Sequence, residues 1–131
     1  MTTHDFGAGP VPAHRHTNPD GSLGGWVDDT ATIGAGATIG VGATIGANTT
    51  IGYRVTIGDR ATIGANTTIR GDAGIGKRAV IGDGVTIGER TIISDGVYIG
   101  DGATIRDEAL IGVGTVIGNV AIRDALQQRR G

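Results

Sequence analysis

No cysteine occurs in the chain, and only four of its 131 residues are aromatic. The first absence excludes disulfides and thiolate-bound metals. The second means that the core draws its buried area from small and β-branched side chains instead of rings. No apolar run approaches the length of a membrane span, and residues 1–7 carry neither the basic nor the apolar stretch of a secretory leader. With 11 basic and 13 acidic residues the charge is nearly balanced, so the chain as a whole is not built to bind a polyanion. These features lead to the expectation of a soluble, cytoplasmic protein that contacts neither nucleic acid nor membrane.

What the chain has in excess is glycine, 26 residues, and order. From Val27 through Ile33, Ile39 and Ile45 to Ile117, every sixth residue is aliphatic without a slip. Six matches neither the helical period of 3.6 nor the strand period of two, and it marks a repeat architecture. The consensus reads Ala-Thr-Ile-Gly-x-x, as at Ala37–Gly40 and Ala61–Gly64. If Ala-Thr-Ile is a short strand, alternation sends Ala and Ile to one side and Thr to the other. The other three residues turn the chain. Gly42, Asn48, Asn66 and Asp72 end such turns, where positive φ is tolerated. Three units then close a triangular coil of 18 residues, and stacked coils make a parallel β-helix with an isoleucine core. Each fully buried Ile contributes about 1.5–3 kcal/mol, so this column is the leading stabilising term.

The aliphatic-Gly-x-x-small-x pattern resembles that of the hexapeptide-repeat superfamily. The resemblance implies an all-β, single-stranded, left-handed parallel β-helix of about five coils, usually a homotrimer. Many members are acyltransferases using acetyl-CoA or acyl-carrier protein; others are γ-class carbonic anhydrases, nucleotidyltransferase partner domains or non-catalytic proteins. The pattern divides the chain into a polar lead-in over 1–25, a β-helix over 26–119 and a cap and tail over 120–131. Asn18-Pro19-Asp20-Gly21 reads as a β-turn, and Trp26 as the anchor of the lead-in. Val120–Leu126 reads as a short helix or turn over the last coil.

The middle residue of each strand points outward, and sorting by eighteen gives three columns. Thr32, Thr50, Thr68, Thr86 and Thr104 form an unbroken threonine ladder. The second column runs Trp26, Thr44, Thr62, Val80, Tyr98, Val116, and the third Thr38, Thr56, Gly74, Ile92, Leu110. The apolar group Val80, Ile92, Tyr98, Leu110 and Val116 suits the interface of a homotrimer better than contact with water.

An acyltransferase of the superfamily needs a general base, typically a histidine on or near a coil, and a γ-class carbonic anhydrase needs three histidines around a metal. The coils contain no histidine and no insertion. The expectation is therefore a non-catalytic trimeric scaffold or binding module without metal or cofactor, any ligand lying in the inter-subunit groove. Arg60, Lys77 and Arg78 form a small basic patch fit for a phosphate or carboxylate there. The alternative is an acyltransferase with an acetyl-CoA or acyl-CoA donor along that groove, its base His14 or His16 borrowed from the lead-in of a neighbouring chain. In an extended segment these two rings project to one side with Asp20 nearby, which would suit a weak metal site, but Arg15 between them favours a solvated or interface pair. A third reading is ice binding by the threonine ladder. It is disfavoured, because Gly34, Gly52, Arg70, Gly88 and Arg106 occupy the positions where a second threonine row would stand. Arg54, Asp72, Arg90 and Glu108 stack with alternating sign and read as a salt-bridge ladder.

Overall fold

A computed structural model of the chain describes residues 3–5 and 9–118, and the backbone of residues 121–122. Each A-T-I unit is a two-residue strand, such as Thr38–Ile39 or Thr62–Ile63, followed by a turn. Parallel partners lie eighteen residues apart, as in Thr50 with Thr68 and Ile51 with Ile69. The strands sort into three sheets, one per face of a prism of about five coils. We call them the threonine face (strands at 32–33, 50–51, 68–69, 86–87 and 104–105), face D (38–39, 56–57, 74–75, 92–93 and 110–111) and face B (26–27, 44–45, 62–63, 80–81, 98–99 and 116–117).

The core is the isoleucine column. Val27 and every repeat isoleucine from Ile39 to Ile117 are buried, and Ile33, in the first coil, is half-buried against them. For the isoleucines from Ile39 to Ile111 the residue two before is small or β-branched and also buried, from Ala37 and Ala43 to Ala103 and Ala109. Thr49, Thr67 and Thr91 take this place without an unmet polar group. Their hydroxyls donate to the carbonyls of Gly64, Gly82 and Arg106 at 2.7–2.8 Å.

The turns hold the coils in register. Their third residue has positive φ whether it is glycine, as at Gly42 and Gly96, or not, as at Asn48, Arg60, Asp72 and Glu108. Aspartates at the second turn position act as vertical clamps. The Oδ1 atoms of Asp59, Asp83, Asp95, Asp101 and Asp107 each accept the backbone N–H eighteen residues earlier, at Val41, Ala65, Lys77, Asp83 and Glu89.

The lead-in is more regular than its composition suggests. Strands β1 (Thr3–Asp5), β2 (Pro10–Thr17) and β3 (Leu23–Asp28) form an antiparallel ribbon. Because β3 pairs with Thr44–Ile45, the ribbon extends face B below the first coil. Gly24 and Gly25 permit this, since a Cβ on either would overlap the carbonyl oxygen of Ile39 or Ala43. The expected β-turn is present, with the Gly21 N–H donating to Asn18 O. Buried Asn18 then caps face D: its side chain accepts the Ile39 N–H at 2.8 Å and donates to the Ile39 carbonyl at 3.1 Å. An amide side chain thus supplies the edge pairing that a further strand would give. Trp26 stacks on the His4 ring at 4.8 Å, tying β1 to β3.

At the other end the expected helix or turn is corrected in part. Ala121–Ile122 is a strand paired with Thr104–Ile105, one residue short of the usual eighteen. The backbone ladder thus continues to Ile122 opposite Ile105, with a single residue deleted from the repeat. The rest of the expected cap and tail lies outside the described residues.

Candidate functional site

The corner between faces D and B carries the predicted basic patch. Its turns are Gly58-Asp59-Arg60, Gly76-Lys77-Arg78 and Ser94-Asp95-Gly96. Arg60 and Arg78 occupy the left-handed turn position one coil apart, with φ of 63° and 60°, a conformation costing a non-glycine residue about 1 kcal/mol. Arg60, Lys77 and Arg78 line one open cavity of about 520 Å³ with Asp59, Asp95 and Val113. Among the described residues their side chains have no ion-pair or hydrogen-bond partner. The two carboxylates do not neutralise them by contact, since each clamps the backbone amide of another coil. The cavity therefore presents uncommitted cations.

The corner between the threonine face and face D has the same turn and the opposite electrostatics. Arg54 is bound bidentately by Asp72 at 2.8 and 3.0 Å, and Arg90 by Glu108 at 3.1 Å. The guanidinium of Arg54 holds the Asp72 carboxyl below its ordinary value, chiefly through the hydrogen bond. Arg54 also lies 4.6 Å from the centre of the Tyr53 ring. The expected alternating ladder thus forms as two pairs.

The predicted apolar residues emerge on two faces that meet at the basic corner. Val80, Tyr98 and Val116 stand on face B and Ile92 and Leu110 on face D, all exposed, Val116 by 67%. Two side chains that were not anticipated join them at the corner itself, Val41 and Val113, exposed by 61% and 77%. Both sit at the second turn position, which carries no polarity rule a sequence pattern reveals. The threonine ladder is in register from Thr32 to Thr104 and forms one row.

The two lead-in histidines part ways. The Nε2 of His16 lies 3.2 Å from the Ala37 carbonyl, beside the Asn18 cap. His14 is half exposed, and its Nδ1 lies 2.8 Å from Oδ1 of Asp29. A carboxylate accepts, so Nδ1 carries the proton, and in the neutral ring Nε2 is the nitrogen with the lone pair. Asp20, expected near these rings, instead accepts from the N–H and hydroxyl of Ser22, which lowers its carboxyl below the ordinary value. The partner Asp29 was not foreseen. The available signal was its place just past the first strand, opposite β2 in the antiparallel ribbon. Among the described residues no group of three His, Cys, Asp or Glu side chains is placed to hold a metal, and no helix is long and apolar enough to cross a membrane.

Comparison with known proteins agrees with this architecture. Residues 25–130 match the family of the GMPPB C-terminal domain. Among solved structures, a variant of perosamine N-acetyltransferase from Caulobacter crescentus, in complex with CoA and GDP-perosamine, is 26% identical. It superposes with a TM-score of 0.70 over 75% of this chain and 45% of that one. A second variant of the same enzyme, again with both ligands, is 25% identical with a TM-score of 0.71, over 76% of this chain and 47% of that one. A Bacillus cereus structure described as a putative acetyltransferase shares the fold at 21% identity and a TM-score of 0.56, over 79% of this chain and 81% of that one. No curated protein sequence matches. The chain spans about half the length of the perosamine enzyme. It belongs to the GMPPB C-terminal domain family, and its repeat is that of the hexapeptide-repeat proteins.

Proposed function

We propose that the chain is the β-helical body of a homotrimeric acyltransferase with an acyl-CoA donor, and that His14 is its general base. One observation carries the reading: the Nδ1 of His14 is bound to the Asp29 carboxylate while the ring stays half exposed. That arrangement fixes the tautomer and leaves Nε2 to take a proton from an amine or hydroxyl as it attacks the thioester carbonyl. The proton then passes to the departing thiolate. A histidine so held supports catalysis over the purely scaffolding role that the histidine-free coils favour. The CoA bound by the perosamine N-acetyltransferase supports the choice of donor.

The trimer supplies the groove. A three-fold axis parallel to the prism and passing the corner between faces D and B gives both apolar faces a neighbour at once. Triangular prisms arranged in this way leave a wedge between face D of one copy and face B of the next. Arg60, Lys77 and Arg78 stand at its inner end, suited to the phosphates of the donor. The threonine face turns outward to water, which accounts for its staying polar from end to end.

Thiol release from acetyl-CoA, followed with a panel of amine and hydroxyl acceptors, tests the reading. His14→Ala is expected to lower turnover about 100-fold or more, with donor binding kept, and Asp29→Asn to lower it less. Donor binding with no turnover on any acceptor, unchanged by His14→Ala, would return the chain to the scaffold reading.

A further inference from the structure

The three faces of the prism are finished differently at their lower ends. In this repeat the N–H and carbonyl of each isoleucine, and the carbonyl two residues before it, point toward the coil below. On the threonine face, for example, the Thr49 and Ile51 carbonyls accept from the N–H groups of Thr32 and Gly34. The first coil has no coil beneath it, and on two faces the lead-in takes that place. On face B the Ala43 carbonyl accepts from the Trp26 N–H, where β3 pairs with Thr44–Ile45. On face D Asn18 serves the N–H and carbonyl of Ile39, and Nε2 of His16 meets the Ala37 carbonyl. The threonine face has neither device. Its lowest strand, Thr32–Ile33, ends the sheet. The Ala31 carbonyl and the N–H and carbonyl of Ile33 have no partner among the described residues. Ala31 and Ile33 are also only half-buried, whereas the repeat isoleucines from Ile39 upward are buried.

Two acceptors with a donor between them on one exposed edge are the complement of a parallel strand. The repeat specifies its side chains, since Ala31 and Ile33 themselves lie beneath Thr49 and Ile51. A small residue fits under Ala31 and an aliphatic one under Ile33. The adjoining face sets the size of the occupant. There β2 and β1 continue the sheet below β3, each by about 5 Å. They form a wall that holds the flat end of a second prism away and leaves room for one strand beside it. We infer that the lower edge of the threonine face is a docking site for an extended peptide segment of another protein. The segment carries a small residue two places before an aliphatic one and adds as a parallel strand. Nothing in this depends on acyl transfer.

Amide hydrogen exchange followed by NMR, with a capped Ala-Thr-Ile-Gly-Ala peptide as probe, tests the inference. Without peptide the Ile33 amide should exchange freely, and the Ile39 amide, held by Asn18, slowly. Saturating peptide is expected to slow exchange at Ile33 about tenfold or more and to leave Ile39 unchanged. A peptide N-methylated at its threonine loses the N–H that would meet the Ala31 carbonyl and should give no slowing. Aspartate in place of the peptide's isoleucine should have the same consequence. An Ile33 amide already slow without peptide overturns the inference, as does no slowing by the probe or equal slowing by all three peptides. Slowing of Ile39 along with Ile33 reports general stabilisation and also overturns it. Protection of Ile33 that rises with protein concentration, with a doubling of mass by sedimentation, assigns the edge to a second copy and overturns the peptide reading.

Discussion

Two corners of this prism are built from one turn and put to different uses. At both, arginines stand in the left-handed position of turns stacked eighteen residues apart. Where the threonine face meets face D, Arg54 and Arg90 find Asp72 and Glu108 one coil on. Where faces D and B meet, Arg78 follows Arg60, Lys77 stands beside it, and the nearby aspartates are committed to backbone amides. The difference separates structure from function. Paired charges on an exposed corner are self-sufficient. Like charges left unpaired beside two apolar faces oppose one another until an anion or another chain arrives.

The largest change to either corner comes from removing what they share. Ile63 is buried in the column behind both. Ile63→Asp would place a carboxylate there without a partner, a cost of about 3–5 kcal/mol or more. The cooperative thermal transition followed by circular dichroism should fall steeply or vanish; an unchanged midpoint would break the picture of a stacked isoleucine core.

Reversing charge at each corner sharpens the contrast. Arg60→Glu with Arg78→Glu is expected to weaken CoA at least tenfold while moving the melting midpoint little, since neither side chain holds a partner. Arg54→Glu with Arg90→Glu should do the opposite, lowering the midpoint through repulsion from Asp72 and Glu108 and leaving CoA affinity intact. Calorimetry and melting on the two double variants decide the matter, and equal effects at both corners would erase the distinction.

The smallest effect is one of pH. The Asp72 carboxyl is held below its ordinary value in the fold by Arg54. A depressed carboxyl contributes stability above its unfolded value and loses it as pH falls through the folded one. Midpoints measured downward from neutrality should therefore show a slight loss that begins in the ordinary carboxylate range and is completed below it, absent in Asp72→Asn. Because the pair is exposed and screened, the loss should also shrink in high salt.

Much of this was legible in the chain itself. The six-residue period foretold the prism, its three faces, the buried column and the αL turns, because each depends on residues a fixed distance apart. The columns of Val80, Tyr98 and Val116 and of Ile92 and Leu110 followed from the same spacing. The cap at Ala121–Ile122 did not, because a single deletion shifts the register and only the pairing partner reveals it. The lead-in was hardest to read. Asn18 binds Ile39, His16 approaches Ala37 and His14 meets Asp29 across an antiparallel ribbon that has no repeat to announce it.

Periodicity determined by itself that this chain folds as a solenoid, since the aliphatic residues can all be buried together only if every eighteenth residue stacks on the last. Tertiary structure alone decided which histidine gains a carboxylate and which amide side chain caps the lower edge of a face. Those outcomes turn on contacts of a few ångströms between segments whose separation along the chain follows no rule.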